Sequence, residues 1–369
     1  MKITAIRTTP LALLFKEPYH WAGRCDLGAT VILVEVETDV GIVGIGEVTA
    51  DRPAAAVLAC LEGVAPMFIG ASPFDVEALT ARARQLGGFN TVPRFANLIL
   101  IGLEMALWDI IGKSTDLPVY QLLGGAYRRE IDYFAFLQGE RADQLAQDAQ
   151  QAVDAGYSVI YMKVGRGEQL DLANVAAVRQ VIGDRRLRLD GNEAWDACTA
   201  IYMIRQLERF NPEFIEQPTP CMNLYVLKQV KDAVGVPIAA DQSVFTMEDV
   251  YQVCRLQAAD VIVLSPHETG GLLAFKKAAA VAEAAGIRVC LHGQFVTGIS
   301  DCAQHQVGLT IPNLTDGNQI MHQLLAEDIL AAPDLTPQQG KLGLPERPGL
   351  GFSLNHEAVQ RAARRYRGA

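Results

Sequence analysis

The sequence predicts an α/β fold in which a modified (β/α) TIM-like barrel carries an N-terminal α+β capping domain. Three observations support this prediction. A length of 369 residues accommodates a barrel of ~250 residues and a smaller partner domain. From about residue 130 onward, short apolar segments alternate with amphipathic helical segments, which is the pattern of a parallel sheet. Before that point, β-rich segments come first and helical segments follow them without alternation.

The N-terminal segment predicts an antiparallel meander over residues 1–50. Two β-rich segments, ATVILVEVETD and GIVGIGEVTA, meet at Asp39, Val40 and Gly41, which is typical of a hairpin. From residue 53 to about 123 the pattern is helical, in PAAAVLACLEGVAPMFIG and FANLILIGLEMALWDIIGK, and it ends at Leu123-Gly124-Gly125. We therefore assign residues 1–125 to the capping domain.

Seven units of a short apolar strand and an amphipathic helix follow Arg129, from DYFAFL to VCLHGQ. This number of units favours closure into a barrel of seven to eight units over the alternative, an open doubly wound sheet. We assign residues 126–342 to the barrel. The tail GLPERPGLGFSLNHEAV is loop-like and then strand-like, and we expect residues 343–369 to pack back on the capping domain and complete it.

Composition argues against several classes of function. A net charge of −10 without a basic run does not support a nucleic-acid partner. No segment reaches ~18 consecutive apolar residues, so we expect no membrane span. The segment MKITAIRTTPLALLF lacks the features of a signal peptide. Seven cysteines without CxxC spacing are typical of buried free thiols in a reducing compartment, so a cytoplasmic protein is expected.

Polar or charged residues stand at the carboxyl end of nearly every predicted barrel strand. Such strands are buried on both faces and should be apolar throughout, and their carboxyl ends form the edge where barrel active sites are built. In strand order the polar residues are Lys163, Asp190 with Asn192, Glu216, Asp241, Ser265 and His292.

Three acids among them, Asp190, Glu216 and Asp241, lie 26 and 25 residues apart, about one βα unit each. Equivalent positions on neighbouring strands converge, and three converging carboxylates repel each other unless a cation joins them. An all-oxygen set suits Mg²⁺ first and Mn²⁺ second, whereas zinc normally recruits His or Cys. The alternative for any single acid is a loop cap or a surface ion pair.

Lys163 ends VIYMKVG, one unit before the first acid. A lysine at the end of a buried strand is costly unless it is paired, and nearby cations would lower its pKa towards that of a useful base. The alternative is a lysine that extends to solvent. His292, in VCLHGQ, is expected across the barrel mouth as a potential acid, or else as a histidine with only structural hydrogen bonds.

These residues resemble the enolase superfamily, in its mandelate racemase and muconate lactonizing enzyme branch. The resemblance covers essentially the whole chain, and LDGNEAW, FIEQP and ADQS in this order are its most specific motifs; GIVGIGEV, ALWDIIGKSTDLPVYQLLGG and PGLGFSL add to them. It implies that Asp190, Glu216 and Asp241 are Mg²⁺ ligands with Asn192 and Gln242 beside them. It also implies a lysine base acting with the metal, as in the superfamily.

Two departures from the family pattern bear on the reaction. Lys163 matches the second lysine of a Lys-x-Lys pair whose first member is Tyr161 here, which can orient a carboxylate but adds no cation. At the end of the sixth strand, Ser265 stands where some members have a second lysine and where mandelate racemase has the Asp that pairs with its histidine. His292 is therefore expected to lack a carboxylate partner and to have a supporting role.

The resemblance implies Mg²⁺-dependent removal of the α-proton of a carboxylate substrate by Lys163, through an enediolate intermediate. We favour dehydration of a small hydroxy acid or acid sugar. The alternatives are racemisation, epimerisation or cycloisomerisation; a non-enzymatic barrel scaffold and a zinc hydrolase are less favoured. The expected partners are a small carboxylate and further copies of the chain, from dimer to octamer.

Substrate specificity is expected in the loops of the capping domain. The segment KEPYHWAGR, residues 16–24, carries Tyr19 and Trp21, and ADRPA at residues 50–54 is the second candidate. The aromatic and amide groups indicate a modest, partly apolar or cyclic substrate. Gln242, Gln294 and Ser265 are expected to bind substrate or to support the residues that do.

Overall fold

A computed structural model describes residues 1–21, 24–50 and 53–368. The chain begins with an antiparallel meander of strands β1 (Ile3–Trp21), β2 (Arg24–Thr38) and β3 (Val43–Thr49), in the order β1-β2-β3. The central strand is buried on both faces: Ile32 and Val34 pack towards the helices of the capping domain, whereas Val31 and Leu33 pack towards the barrel side. The hairpin predicted around residues 39–41 is present.

One of the two expected substrate loops is part of a strand instead. Strand β1 continues to Trp21 and, after a register shift between Leu14 and Tyr19, pairs Tyr19 with Asp26 and Trp21 with Arg24. The prediction of a loop over residues 16–21 is therefore wrong, because backbone pairing with β2 extends the hairpin towards the barrel. Residues 22–23 of that segment, and residues 51–52 of the second candidate loop, lie outside the described residues.

Four helices complete the N-terminal region: α1 (Ala54–Val64), α2 (Val76–Leu86), α3 (Pro93–Thr115) and α4 (Val119–Leu122), within the described residues; 3₁₀ turns cover Ala65–Phe68 and Phe89–Thr91. Helix α3 lies directly on the sheet, since a Cβ atom at Gly46 would come within 1.9 Å of the Gly102 carbonyl oxygen. By length and composition α3 alone among the described helices could cross a membrane, but its apolar window is 83% buried inside the fold, as in a core helix.

In the described part of the chain, seven parallel strands form the barrel sheet in sequence order: β5 (Ala135–Leu137), β6 (Val159–Lys163), β7 (Arg186–Asp190), β8 (Phe214–Glu216), β9 (Ile238–Ala240), β10 (Val261–Leu264) and β11 (Arg288–Leu291). Strand β4 (Glu130–Asp132) precedes them. Helices lie between and after the strands: α5 (Ala142–Asp154), α6 (Glu168–Ile182), α7 (Ala197–Leu207), α8 (Leu224–Ala233), α9 (Met247–Leu256), α10 (Pro266–Thr269), α11 (Leu272–Ala284) and α12 (Gly298–Gly308), with a 3₁₀ turn at Glu208–Phe210.

An irregular segment, residues 313–319, lies between the two edges of the sheet in the place of an eighth strand. It forms parallel bridges to both edges, Leu314 to Val289 and Asn318 to Tyr133. The buried Arg188 supports it from the barrel interior by donating hydrogen bonds to the carbonyl oxygens of Asp316 and Gly317. The predicted modified TIM-like barrel with an α+β capping region is confirmed.

The C-terminal residues return to the first strand. After a 3₁₀ turn (His322–Leu324), they form β12 (Leu330–Ala332), β13 (Lys341–Gly343), β14 (Ser353–Leu354) and α13 (His356–Arg367). The strand-like part predicted in this tail is limited to Ser353–Leu354, because the side chain of Asn355 accepts a hydrogen bond from the Ala358 N–H and starts a helix. Helix α13 packs against β1 of the capping region, as expected for residues 343–369. The domain boundaries at 125/126 and 342/343 stay predictions.

Candidate active site

The three predicted acids meet at the carboxyl ends of neighbouring strands. Asp190 ends β7, Glu216 ends β8 and Asp241 directly follows β9. The strand register pairs Asp190 with Glu216, and Asp241 lies two residues beyond Ala239, the partner of Glu216. The hydroxyl of Tyr161 donates to both Asp190 Oδ2, at 2.6 Å, and Glu216 Oε1, at 3.0 Å. All three carboxylates are buried.

The three acids repel one another when they are ionised. Burial and then the neighbouring carboxylates Asp190 and Asp241 raise the pKa of Glu216 well above its usual range. Burial also raises the pKa of Asp241 to about 7, although the charge of His292 acts against this shift. A cation among the three acids would compensate the repulsion that raises these pKa values.

The donor set fits a hard divalent cation. Asn192 Oδ1 is buried without a hydrogen-bond partner among the described residues, and the buried Asp241 Oδ1 makes an ion-pair contact with His292 Nδ1 at 3.2 Å but no hydrogen bond of good geometry. Such oxygens, beside the other carboxylates, are the ligands that Mg²⁺ prefers. A second set overlaps the first: possible ligand atoms of Asp241, Glu268 and His292 all lie within 4.8 Å of one another.

The backbone is strained next to the acids. Asn192, Glu193 and Gln217 have φ angles of 46°, 66° and 31°, in the left-handed region that non-glycine residues seldom adopt. Strain of this kind concentrates at functional sites. The buried Gln217, which the sequence analysis did not single out, accepts hydrogen bonds from the backbone N–H groups of Asp241, at 3.0 Å, and Ser243, at 3.2 Å. It thereby fixes the turn that carries Asp241.

Lys163 ends β6 and forms an ion pair with Asp190 Oδ2. The expected lowering of the Lys163 pKa depends on nearby cations and stays a prediction, because the acids alone act in the opposite direction. Burial lowers the pKa of Lys163, but the charges of Asp190, Tyr19 and Glu216 together outweigh burial and raise it. The physical reason is that the lysine faces the acids directly.

His292 has the carboxylate partner that the sequence analysis expected it to lack. Its Nδ1 atom lies 2.8 Å from Glu268 Oε1 and 3.2 Å from Asp241 Oδ1. Burial lowers the pKa of His292, but the charges of Asp241 and Glu268 outweigh this effect and raise it to about 10. The expectation that His292 lacks a carboxylate partner is therefore wrong. The partner is Glu268, which lies one helical turn after Ser265 and not at the Ser265 position itself.

Ser265 itself has a structural place in this arrangement. It caps the short helix α10: its hydroxyl accepts from the Glu268 N–H, and Glu268 Oε2 accepts from the Ser265 N–H at 2.7 Å. This reciprocal capping box is visible in the sequence as Ser265-Pro-His-Glu268, and it was the available signal for Glu268. Ser265 is fully buried and does not line the cavity described next.

A cavity of about 380 Å³ opens above these groups. Strand β1 supplies Tyr19 and Trp21, and the ring of Tyr19 stacks on Phe136 at 5.5 Å between ring centroids. Of the predicted site residues, Lys163, Asn192, Asp241, Gln242, His292 and Gln294 also line the cavity. The lining residues that were not predicted from the sequence are Glu193, Phe245, Glu268, Gly293, Phe295, Gln319 and Met321.

Two family models match consecutive parts of the chain. Residues 2–124 match the family model of the mandelate racemase / muconate lactonizing enzyme N-terminal domain. Residues 144–359 match the model of the enolase C-terminal domain-like family.

Relatives and solved structures cover nearly the whole chain. Muconate cycloisomerase 1 of Rhodococcus opacus is 31% identical, with 98% of each chain covered. D-xylonate dehydratase of Haloferax volcanii is 30% identical over 89% of this chain and 84% of its own. The crystal structure of a dipeptide epimerase from Enterococcus faecalis, complexed with Mg and the dipeptide L-Leu-L-Tyr, superposes with a TM-score of 0.88 at 28% identity, covering 96% of this chain and 100% of that one.

Proposed function

Because the chain belongs to the mandelate racemase and muconate lactonizing enzyme branch of the enolase superfamily, we propose that it is an enzyme that removes the α-proton of a small carboxylate substrate. One observation carries the proposal. In strand order Lys163, on β6, and His292, after β11, stand on either side of the three acids on β7, β8 and β9. In this arrangement Lys163 would act as the base and His292 as the acid, one on each side of the three acids in strand order.

The family generally uses Mg²⁺, and a solved relative contains it. In this chain Asp190, Glu216 and Asp241 would hold Mg²⁺ or, second, Mn²⁺. When bound, such an ion neutralises negative charge that develops on the substrate carboxylate, an effect worth several kcal/mol. Tyr161 supports the set by donating its hydroxyl to two of the acids, which orients both carboxylates.

The protein groups that move protons are Lys163 and His292. A cation held by the acids would offset the charges that raise the pKa of Lys163, so that Lys163 can take the α-proton, and its removal leaves an enediolate. Glu268 holds Nδ1 of His292 at 2.8 Å, so that this ring nitrogen is committed to the carboxylate and Nε2 is left for the substrate. His292 thus acts as the acid on the second face.

The favoured reaction is dehydration of a small hydroxy acid or acid sugar, in which His292 protonates the departing β-hydroxyl. Ser265 occupies the place of a second lysine, which weighs against proton transfer between two lysines. The relative named as a D-xylonate dehydratase supports this choice. Racemisation, epimerisation or cycloisomerisation is the alternative; the relatives named as a cycloisomerase and as epimerases favour it.

A library of hydroxy acids, acid sugars, dipeptides and muconate tests the choice, incubated with the protein and Mg²⁺. Formation of 2-keto acids supports dehydration. Isomers or lactones without keto product reject dehydration in favour of the alternative. The absence of any product across the library, with bound metal verified, would favour the non-enzymatic scaffold. A cytoplasmic location and a homo-oligomeric state, from dimer to octamer, stay predictions from the sequence.

A further inference from the structure

Asn97 is a buried polar residue of the capping helix α3, and its amide contacts the barrel. The side-chain nitrogen donates to the carbonyl oxygens of Phe245, at 2.8 Å, and Glu268, at 2.6 Å. Its side-chain oxygen accepts from Nη2 of Arg84, at 2.6 Å. Carbonyl oxygens only accept and guanidinium groups only donate, so these partners fix the orientation of the amide.

The two carbonyls belong to different loops of the active site. Phe245 ends the loop after β9, which begins with Asp241 and Gln242, and Glu268 lies in helix α10, after β10. The side chains of Phe245 and Glu268 both line the cavity. A single amide of the capping region therefore connects the loop that carries a proposed metal ligand to the loop that carries the partner of His292.

The side chain of Asn97 is tightly packed against the loop after β10. Gly270, just after α10, has φ +81°, and a Cβ atom there would lie 2.7 Å from Asn97 Oδ1. One turn before Asn97, Arg94 holds the other loop, with its guanidinium 5.1 Å from the centroid of the Phe245 ring. Further along the helix, Glu104 accepts from the Leu272 N–H at 2.9 Å. One face of α3 thus lies along both loops.

We propose that Asn97 is a positioning residue that holds Glu268 where its carboxylate can orient His292. The inference rests on the proposed function for its catalytic consequence, but the geometry it describes can be measured without a substrate. Small displacements of catalytic groups, of about 1 Å, can reduce rates by about 10²-fold. Loss of the Asn97 amide is therefore expected to slow the step that needs His292.

The matched control is Asn313, whose side-chain nitrogen also donates to two carbonyl oxygens, those of Ala279 at 3.1 Å and Ile287 at 2.9 Å. Asn313 does not line the cavity. Asn97→Ala and Asn313→Ala remove the same kind of contact at the two places. Asn97→Asp, which keeps the side-chain volume and the contact with Arg84 but cannot donate to the carbonyls, serves if Asn97→Ala does not fold.

The test is the ¹H–¹⁵N NMR signal of the His292 Nδ1–H group, assigned by its loss in His292→Asn and its change in Glu268→Ala. We expect this signal to shift or broaden in the folded Asn97 variant and to stay unchanged in Asn313→Ala. With a substrate in hand, product formation should fall about 10- to 100-fold in the Asn97 variant only.

An Asn97 variant that keeps the wild-type His292 signal would overturn the inference, and a melting temperature lowered as in Asn313→Ala would then mark Asn97 as merely structural. A failure of the proposed function would give a different result from a failure of this inference. In that case wild-type protein exchanges no α-proton of any carboxylate, while the His292 signal still reports whether Asn97 positions Glu268.

Discussion

The Nδ1 atom of His292, just after strand β11, lies 2.8 Å from Oε1 of Glu268 in helix α10. Gln294 donates to the same carboxylate oxygen at 3.1 Å, and the other oxygen of Glu268 accepts from the Ser265 N–H at 2.7 Å. Each Glu268 oxygen therefore has a defined partner. A histidine held in this way presents one fixed ring orientation to the cavity.

Replacing Glu268 with glutamine removes the charge that orients His292. We expect product formation to fall about 10- to 100-fold, a part of the ~10²- to 10⁴-fold that acid–base catalysis contributes. If Asp190, Glu216 and Asp241 hold the metal, Mn²⁺ affinity, measured by electron paramagnetic resonance titration, should change little. A loss of Mn²⁺ binding in Glu268→Gln would instead assign the ion to the overlapping set of Asp241, Glu268 and His292.

Replacing Tyr161 with phenylalanine removes the donor shared by Asp190 and Glu216. Each buried acceptor left without its donor costs about 1–3 kcal/mol, so the melting temperature without metal should fall. Because an added cation then relieves more repulsion, we expect a larger stabilisation by Mg²⁺ than in wild type, measured by thermal unfolding with and without Mg²⁺.

The control for this variant is Tyr133→Phe, which removes a buried hydroxyl that lies 2.8 Å from His305 Nδ1. Its melting temperature should fall, but its stabilisation by Mg²⁺ should equal that of wild type. Equal Mg²⁺ effects in Tyr161→Phe and Tyr133→Phe would contradict a role of Tyr161 at the metal site.

Arg188 is expected to hold the barrel closed. Its guanidinium is 0% exposed and bonds Glu213 Oε2 at 2.7 Å, in addition to the carbonyls of the segment of residues 313–319. Arg188→Met should lower the free energy of unfolding in urea by about 3–5 kcal/mol, as for a broken buried ion pair.

Arg186 provides a matched comparison on the same strand, since it also pairs with Glu213, at 3.6 Å, but its side chain is 35% exposed. Arg186→Met should cost at most about 1 kcal/mol. Similar costs for the two variants would show that burial of Arg188 does not contribute to closure.

Glu47, on β3, predicts a pH dependence of stability. Its carboxylate accepts hydrogen bonds from the Thr297 N–H, at 3.0 Å, and from the Ser300 hydroxyl, at 2.6 Å. Burial raises its pKa from 4.5 to about 7. The folded state therefore binds this proton more tightly than the unfolded state, and the contribution of Glu47 to stability is complete below pH 4.5 and is lost as pH rises to 7.

Glu47→Gln should accordingly show a smaller fall in melting temperature between pH 4.5 and 7 than wild type. The fall should not vanish, because burial raises the pKa of Glu104 to about 7 as well. An unchanged pH profile in the variant would mean that Glu47 is ionised in the folded protein throughout this range.

The sequence predicted what depends on local pattern and repeat spacing. Asp190, Glu216 and Asp241 converge because each ends or follows a parallel strand of one sheet, and such strand ends are recognisable from apolar runs. Lys163 and His292 were predictable for the same reason, because each stands at the carboxyl end of an apolar strand. The barrel and the capping hairpin were predictable for the same reason, as period and turn residues determine them.

Features that depend on tertiary contact were not predictable in this way. Glu268 reaches His292 only because a capping box folds Ser265-Pro-His-Glu268 into one helical turn. Strand β1 extends through Tyr19 because β2 pairs with it, although the segment has loop-like composition. Asn97 lies 171 residues from Glu268 in sequence, so its role depends on packing between capping helix and barrel.

The central claim is that Lys163 abstracts an α-proton. The most direct measurement is Mg²⁺-dependent exchange of the α-proton of carboxylates with D₂O, followed by ¹H NMR for wild type, Lys163→Ala and Lys276→Ala. Lys276 is the control because it is a partly buried lysine that donates to the Leu123 carbonyl, away from the cavity. We predict exchange in wild type and Lys276→Ala and none in Lys163→Ala, whereas exchange that persists in Lys163→Ala would contradict the claim.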